Sequence, residues 1–90
     1  IEFCMNRERN QHLKYKFGQK LWWITSKEGR FVVEAVRFIG IIKEEDEILY
    51  MYESLDNQGA MTCLPKTSSD IFETYNGVLN EIKRRINVNQ

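Results

Sequence analysis

The chain has 90 residues, the size of one small domain, with no room for a second hydrophobic core. Hydrophobic residues make up 42% of the chain and charged residues 29%, as in globular rather than disordered proteins. The 13 Lys and Arg residues balance the 13 Asp and Glu residues, which argues against a highly basic nucleic-acid binder. No apolar run approaches the roughly 20 residues of a membrane-spanning helix, and we recognise no signal peptide.

The N-terminal residues predict a disordered arm. Between Met5 and Lys14 few side chains are apolar, too few to offset the conformational entropy lost on ordering. We therefore expect residues 1–14 to be disordered and residues 15–90 to form one domain. Because Glu2 and Phe3 resemble a cloning remnant, we interpret residues 1–4 as such and expect the natural chain to begin at Met5.

The two cysteines, Cys4 and Cys63, predict reduced cytoplasmic thiols rather than a disulfide. Cys63 alternates with Met61 in an apolar segment, so we expect it to be a small core residue. His12 has no Cys or acidic neighbour at metal-ligand spacing, and we expect no metal site. We find no Ser/His/Asp set and no glycine-rich phosphate loop, so we expect neither enzyme activity nor a cofactor.

Four segments rich in aromatic and β-branched residues predict β-strands. Polar turns with Gly29 and Gly59 and an acidic loop at residues 44–47 separate them. The second segment is longer than a typical strand, and Gly40 inside it indicates a bulge or a sharp bend. Pro65 ends the fourth because it cannot donate a hydrogen bond to a neighbouring strand. The predicted strands cover residues 19–25, 31–43, 48–55 and 60–64.

The pattern changes to helical periodicity after Pro65. Ile71 and Phe72 predict a buried plug in a single 3₁₀ turn. Thr74 is a candidate N-cap for a helix over residues 75–86. Four apolar residues of this helix form a single stripe that predicts its packing side: Val78, Leu79, Ile82 and Ile86.

These elements predict a mainly β fold with one C-terminal helix. Both alternate sets of side chains in the long second strand are apolar, with Val36, Phe38 and Ile42 in one set. Two faces of the sheet therefore need cover. We expect four to five antiparallel strands to curl into a small barrel, which covers one face, and the helix to cap the barrel.

Several segments together resemble small SH3-like β-barrel proteins with a C-terminal helix, of the kind common in phages, prophages and gut bacteria. The resemblance spans residues 15–86 and is one of pattern and spacing. It implies the barrel fold and an adaptor-type role, and it lends no catalytic residues. The segments that carry it are residues 17–22, 33–35 and 39–41, the pair Tyr50 and Tyr52, Pro65, and residues 70–74.

Four aromatic residues are candidate binding residues. Trp22 and Trp23 are adjacent, so in a strand they face opposite sides, and we expect one to enter the core and the other to be at least partly exposed. Tyr50 and Tyr52 share one face, where SH3-type barrels can hold extended or proline-rich peptides. The alternative is that the helix or the N-terminal arm covers the tryptophans and that both tyrosines pack against the helix.

Charge is segregated along the chain. Residues 5–43 carry nine Lys and Arg against three Glu, whereas residues 44–73 carry one Lys against eight acidic residues. Lys20 and Arg30 belong to a candidate basic patch that would attract phosphate or an acidic partner. Glu45 and Asp46 belong to an acidic loop that would attract a basic partner. Each group can instead be an ordinary solvated surface.

Arg37 is an unexpected charge inside an apolar strand. If its side chain points into the core it needs a carboxylate partner, for which Glu53 and Glu34 are candidates. The other interpretation is that a bulge turns Arg37 outward.

Together these features predict a small non-enzymatic binding module in the cytoplasm whose partner is a protein. A variant of this hypothesis is a phage- or prophage-derived regulator or inhibitor of a host system. The alternative is a nucleic-acid-binding barrel that uses the basic N-terminal half, with an affinity that falls steeply with salt. We expect no membrane partner, and monomer and homodimer both stay open.

Overall fold

A computed structural model of the chain describes residues 2–4 and 13–88. It confirms a mainly β fold with a C-terminal helix. Six strands and one helix follow in chain order: β1 Glu2–Cys4, β2 Lys20–Lys27, β3 Arg30–Lys43, β4 Ile48–Ser54, β5 Met61–Pro65, β6 Ile71–Phe72 and α1 Tyr75–Val88.

The strands form one antiparallel sheet with β3 at its centre. The main path through the sheet runs β5-β4-β3-β2-β6, and β1 pairs with the far end of β3. Within the described residues β5 and β6 do not pair with each other, so the sheet is open. Closure into a barrel therefore stays a prediction.

A bulge in β3 explains how one long strand serves two neighbours. Phe38 pairs with Tyr52 and Gly40 pairs with Met51, so Ile39 is an extra residue on the β3 side. The extra residue reverses the alternation of side chains beyond it. Ile41, rather than Ile42, therefore lies on the same face as Phe38, which corrects the predicted set.

The hydrophobic core lies on one face of the sheet, which we call the core face. The pairs Leu21–Val36, Phe38–Tyr52 and Ile41–Tyr50 lie side by side in the strand register. Aromatic rings dominate this core, with the Phe38 ring 4.9 Å from that of Tyr50 and 5.9 Å from that of Tyr52. The buried cluster consists of Tyr15, Leu21, Val36, Phe38, Ile41, Tyr50, Tyr52 and Ile71.

The helix packs on the opposite face of the sheet, which we call the helix face. Thr74 is the N-cap, as predicted, because its Oγ1 accepts a hydrogen bond of 3.0 Å from the Gly77 N–H. Val78 is the fully buried residue of α1. Ile71 and Phe72 do not form the expected 3₁₀ plug but the short strand β6, which pairs with β2 and leads directly into the helix.

The structure differs from the expected disordered arm at both ends of residues 1–14. Glu2–Cys4 form β1, whose residues pair with Ile41–Lys43 of β3. Leu13 packs against the core, and the Lys14 N–H donates to the Tyr50 hydroxyl at 3.1 Å. Residues 5–12, including Met5 and His12, lie outside the described residues, so for them the prediction stays untested.

Candidate functional site

The side chains of the two adjacent tryptophans lie on opposite faces of the sheet, as strand alternation requires. Trp22 lies on the helix face beside Ala35 and Phe72, and Trp23 lies on the core face beside Glu34 and Ile71. Both side chains are half-buried. Each face of β2 therefore presents part of an indole ring to solvent.

Trp22 forms an aromatic cluster with the start of the helix. Its ring lies 5.1 Å from the Tyr75 ring in an edge-to-face arrangement. The Lys20 ammonium lies 4.6 Å from the Trp22 ring centroid, within the range of a cation–π contact. The helix thus covers one side of Trp22, and Lys20 covers another.

An apolar stripe continues from Trp22 along one flank of α1. Tyr75, Leu79 and Ile86 are 49%, 38% and 44% exposed. Residues three or four positions apart lie on the same side of a helix, so half-buried Ile82 completes a continuous row. We call Trp22, Tyr75, Leu79, Ile82 and Ile86 the helix stripe. It differs from the predicted stripe because it does not include Val78, which is fully buried against the sheet.

Charged side chains border the helix stripe on the sheet. Lys20 pairs in register with Arg37, and Arg37 pairs in register with Glu53, so these residues form one row across β2, β3 and β4. The Arg37 guanidinium forms an ion pair with the Glu53 carboxylate. Arg37 therefore points outward on the helix face. It does so because of ordinary strand alternation, since the bulge comes after it.

Ion pairs also stabilise the helix itself. Arg84 and Arg85 both donate hydrogen bonds to the Glu81 carboxylate. Hydrogen bonds from the two arginines lower the pKa of Glu81 to about 2, and the contribution of Arg84 is the larger. Both partners are one turn from Glu81, so the three residues support the last two turns of the helix.

Tyr50 and Tyr52 share a face, as predicted, but that face is the core face. They are 0% and 2% exposed, so they cannot bind a partner at the outer surface. Burial raises the pKa of both hydroxyls above the usual value of 10. Cys63 corrects a second expectation, because this presumed core residue is exposed on β5.

The charged candidates lie apart from one another. Arg30 is exposed at the start of β3, next to the β2–β3 turn. Glu45 and Asp46 are exposed in the loop that follows the other end of β3. Since β3 has 14 residues, roughly 43 Å of extended chain separate the two groups. They do not form one site with Lys20.

The prediction missed the helix stripe as a surface. Helical periodicity did place Leu79, Ile82 and Ile86 on one side of α1, but we assigned that side to the core. One feature of the sequence could have indicated this exposed surface. The helix has few apolar residues, whereas the sheet has two faces that need cover. A single helix buries only the side chains that face the sheet directly, and in α1 the fully buried side chain is that of Val78.

Comparison with known proteins found no matching family model, no matching curated protein and no matching solved structure. Within the described residues, no group of three or more His, Cys, Asp or Glu side chains is placed to hold a metal ion. The helix that the structure describes is too short and too polar to cross a membrane.

Proposed function

We propose that this protein is a small non-enzymatic binding module that docks a protein partner on the helix stripe. The observation that carries the proposal is the exposure of Tyr75, Leu79 and Ile86 in one row beside Trp22. Contiguous exposed apolar side chains cost free energy in water unless a partner covers them. Partly exposed tryptophan and tyrosine next to charged side chains are typical of binding surfaces.

The charges favour a protein over a nucleic acid. Arg37, Arg84 and Arg85 already lie in ion pairs with carboxylates of this chain. A phosphate backbone would have to compete with those carboxylates for each guanidinium. Lys20 beside Trp22 keeps nucleic-acid binding as the alternative, because a cation next to an aromatic ring can also hold a stacked base.

The finer assignments belong to the same proposal. An SH3-like barrel and an origin as a phage- or prophage-derived regulator of a host system are supported by the resemblance in pattern over residues 15–86. A cytoplasmic location is supported by the two cysteines, which the sequence predicts to be reduced thiols. An adaptor-type role is supported by the same resemblance in pattern.

The test is affinity capture with a matched pair of variants. Leu79→Lys places a charge in the helix stripe, whereas Asn80→Lys adds the same charge at the next, exposed position of the helix. We expect the same protein to be enriched by the wild type and by Asn80→Lys and to be lost with Leu79→Lys, at equal helix content by circular dichroism. Retention of that protein by Leu79→Lys would contradict the proposal.

Two further measurements separate the alternatives. Light scattering of the wild type and Leu79→Lys shows whether the helix stripe instead pairs with a second copy of the chain. Fluorescence anisotropy with single- and double-stranded oligonucleotides at low salt tests the nucleic-acid alternative. Binding that falls steeply with salt and is lost in Lys20→Gln, but not in Lys43→Gln, would favour a nucleic acid over a protein.

A further inference from the structure

A concave surface lies on the core face, beyond the buried core. It is a groove between the tip of the β2–β3 hairpin and the turn that joins β4 to β5, and it encloses about 510 Å³. This volume falls within the range of small ligand sites. Its aromatic and polar lining includes Trp23, Lys27, Glu34, Asp56 and Asn57.

Trp23 supplies the aromatic surface of this groove. One part of its side chain packs against the core cluster, and the half-buried remainder lines the groove. The position of the ring is therefore fixed by core packing rather than by a mobile loop. Among aromatic side chains, the indole of tryptophan is the preferred partner of a cation.

Glu34 supplies a carboxylate that is held in place beside Trp23. The two residues are direct partners in the β2–β3 register. The Ser54 hydroxyl donates to Glu34 Oε2 at 2.8 Å, and its oxygen accepts the N–H groups of Asp56 and Asn57 at 3.2 and 2.9 Å. Because both lone pairs of that hydroxyl oxygen accept these N–H groups, its proton is directed to Glu34. The network orients Glu34 before any ligand arrives.

The charge balance of the groove is negative. Glu34 and Asp56 contribute two carboxylates, and exposed Lys27 contributes one cation at the tip of the hairpin. Among the described residues, no Lys, Arg or His lies within ion-pair distance of Glu34 or Asp56. An oriented carboxylate next to an indole thus lacks a counter-ion from this part of the chain.

We propose that the Trp23 groove binds the cationic side chain of a lysine or arginine from a partner polypeptide. The cation would lie against the Trp23 ring and form a charge-assisted hydrogen bond with the Glu34 carboxylate. The aliphatic stem of the side chain would contact the exposed part of Val32, which lines the same groove. The groove is independent of the helix stripe because it lies on the opposite face of the sheet.

The probe is a capped pentapeptide, Ala-Ala-Lys-Ala-Ala, with norleucine in place of lysine as the matched control. Titration into the full chain labelled with ¹⁵N is followed by the backbone amides and the two indole N–H signals. We expect the lysine peptide to shift the Trp23 indole and the amides of Glu34 and Asn57, and the norleucine peptide to shift them much less. Equal shifts with both peptides, or no shift at millimolar peptide, would overturn the proposal.

Three variants test the charges. Glu34→Gln keeps an acceptor for the Ser54 hydroxyl but removes the charge, and we expect binding of the lysine peptide to weaken roughly fivefold. Lys27→Ala removes the competing cation, and we expect tighter binding. Glu45→Gln removes one negative charge far from the groove and leaves the affinity unchanged. Equal affinities of all three variants for the lysine peptide would contradict a cation site. If Leu79→Lys binds the lysine peptide as tightly as the wild type does, this groove is separate from the helix stripe.

Discussion

Arg85 joins the end of the helix to the residue that precedes β6. Its Nη2 donates to Asp70 Oδ1 at 2.9 Å, while its Nε donates to Glu81 Oε2 at 2.7 Å. Asp70 in turn lies beside β2, since its carbonyl oxygen accepts the Ile24 N–H at 2.9 Å. One guanidinium therefore connects the last turns of α1 to the edge of the sheet.

We predict that Arg85→Gln loosens the C-terminal half of the helix. Partly exposed ion pairs contribute little each, so we expect the Asp70–Arg85 pair to contribute less than about 1 kcal/mol to the free energy of unfolding. A double-mutant cycle with Asp70→Asn in urea unfolding measures this coupling. Additive effects of the two substitutions would show that the pair contributes nothing.

We predict that helix stability depends on pH through Glu81. Its pKa of about 2 in the folded chain lies below the ordinary value of 4.5, so the folded state favours the carboxylate. The stabilisation is present above about pH 4.5 and is lost as the pH falls towards 2. Circular dichroism over that interval should show the loss in the wild type and a weaker dependence in Glu81→Gln. An identical pH profile for both proteins would exclude Glu81 as the cause.

We predict that Val78 and Leu79, neighbours on the helix, differ sharply in their effect on stability. Val78 is fully buried against the sheet, so Val78→Ala should lower the free energy of unfolding by roughly 1–3 kcal/mol. Leu79 is already 38% exposed, so Leu79→Ala should cost less than about 1 kcal/mol. Denaturant unfolding of both variants provides the comparison. A larger effect at Leu79 would mean that the helix docks through the helix stripe.

We predict that the β2–β3 turn is strained at Glu28. Glu28 and Gly29 have φ angles of 53° and 77°, the left-handed conformations of a tight hairpin turn. Asparagine tolerates this conformation better than glutamate, so Glu28→Asn should stabilise the fold by about 0.5–1 kcal/mol. Thermal unfolding should show a melting temperature higher by a few degrees. Glu45→Asn, the same change in the acidic loop, is the control, and an equal gain there would attribute the effect to charge instead.

Local patterns were sufficient to predict four of the six strands and the helix. The predicted strands at residues 31–43 and 48–55 differ by one residue from β3 and β4, because β-branched and aromatic runs bounded by turn residues depend on neighbours in sequence. Gly40 marked the bulge for the same reason. The N-cap Thr74 was also evident, since capping involves only the next few residues. β6 was missed because two residues carry no periodicity.

Burial was not evident from the same patterns. Alternation correctly placed Tyr50 and Tyr52 on one face, but whether that face is covered depends on Tyr15, Phe38 and other residues distant in sequence. The same limit made Cys63 a core residue in the prediction and an exposed one in the structure. For the same reason the sequence did not show that the helix stripe is exposed.

The four longer strands, their turns and the helix could be predicted from the amino-acid sequence, because they follow from backbone preferences over a few residues. Which faces are covered and which groups meet depends on residues far apart in the chain, so these features became evident only in the folded structure. The hydrogen bond between Ser54 and Glu34, which are 20 residues apart, forms only because β3 and β4 lie side by side in one register. Both proposed binding surfaces depend on such long-range placement, since solvent exposure is a property of the assembled sheet and helix.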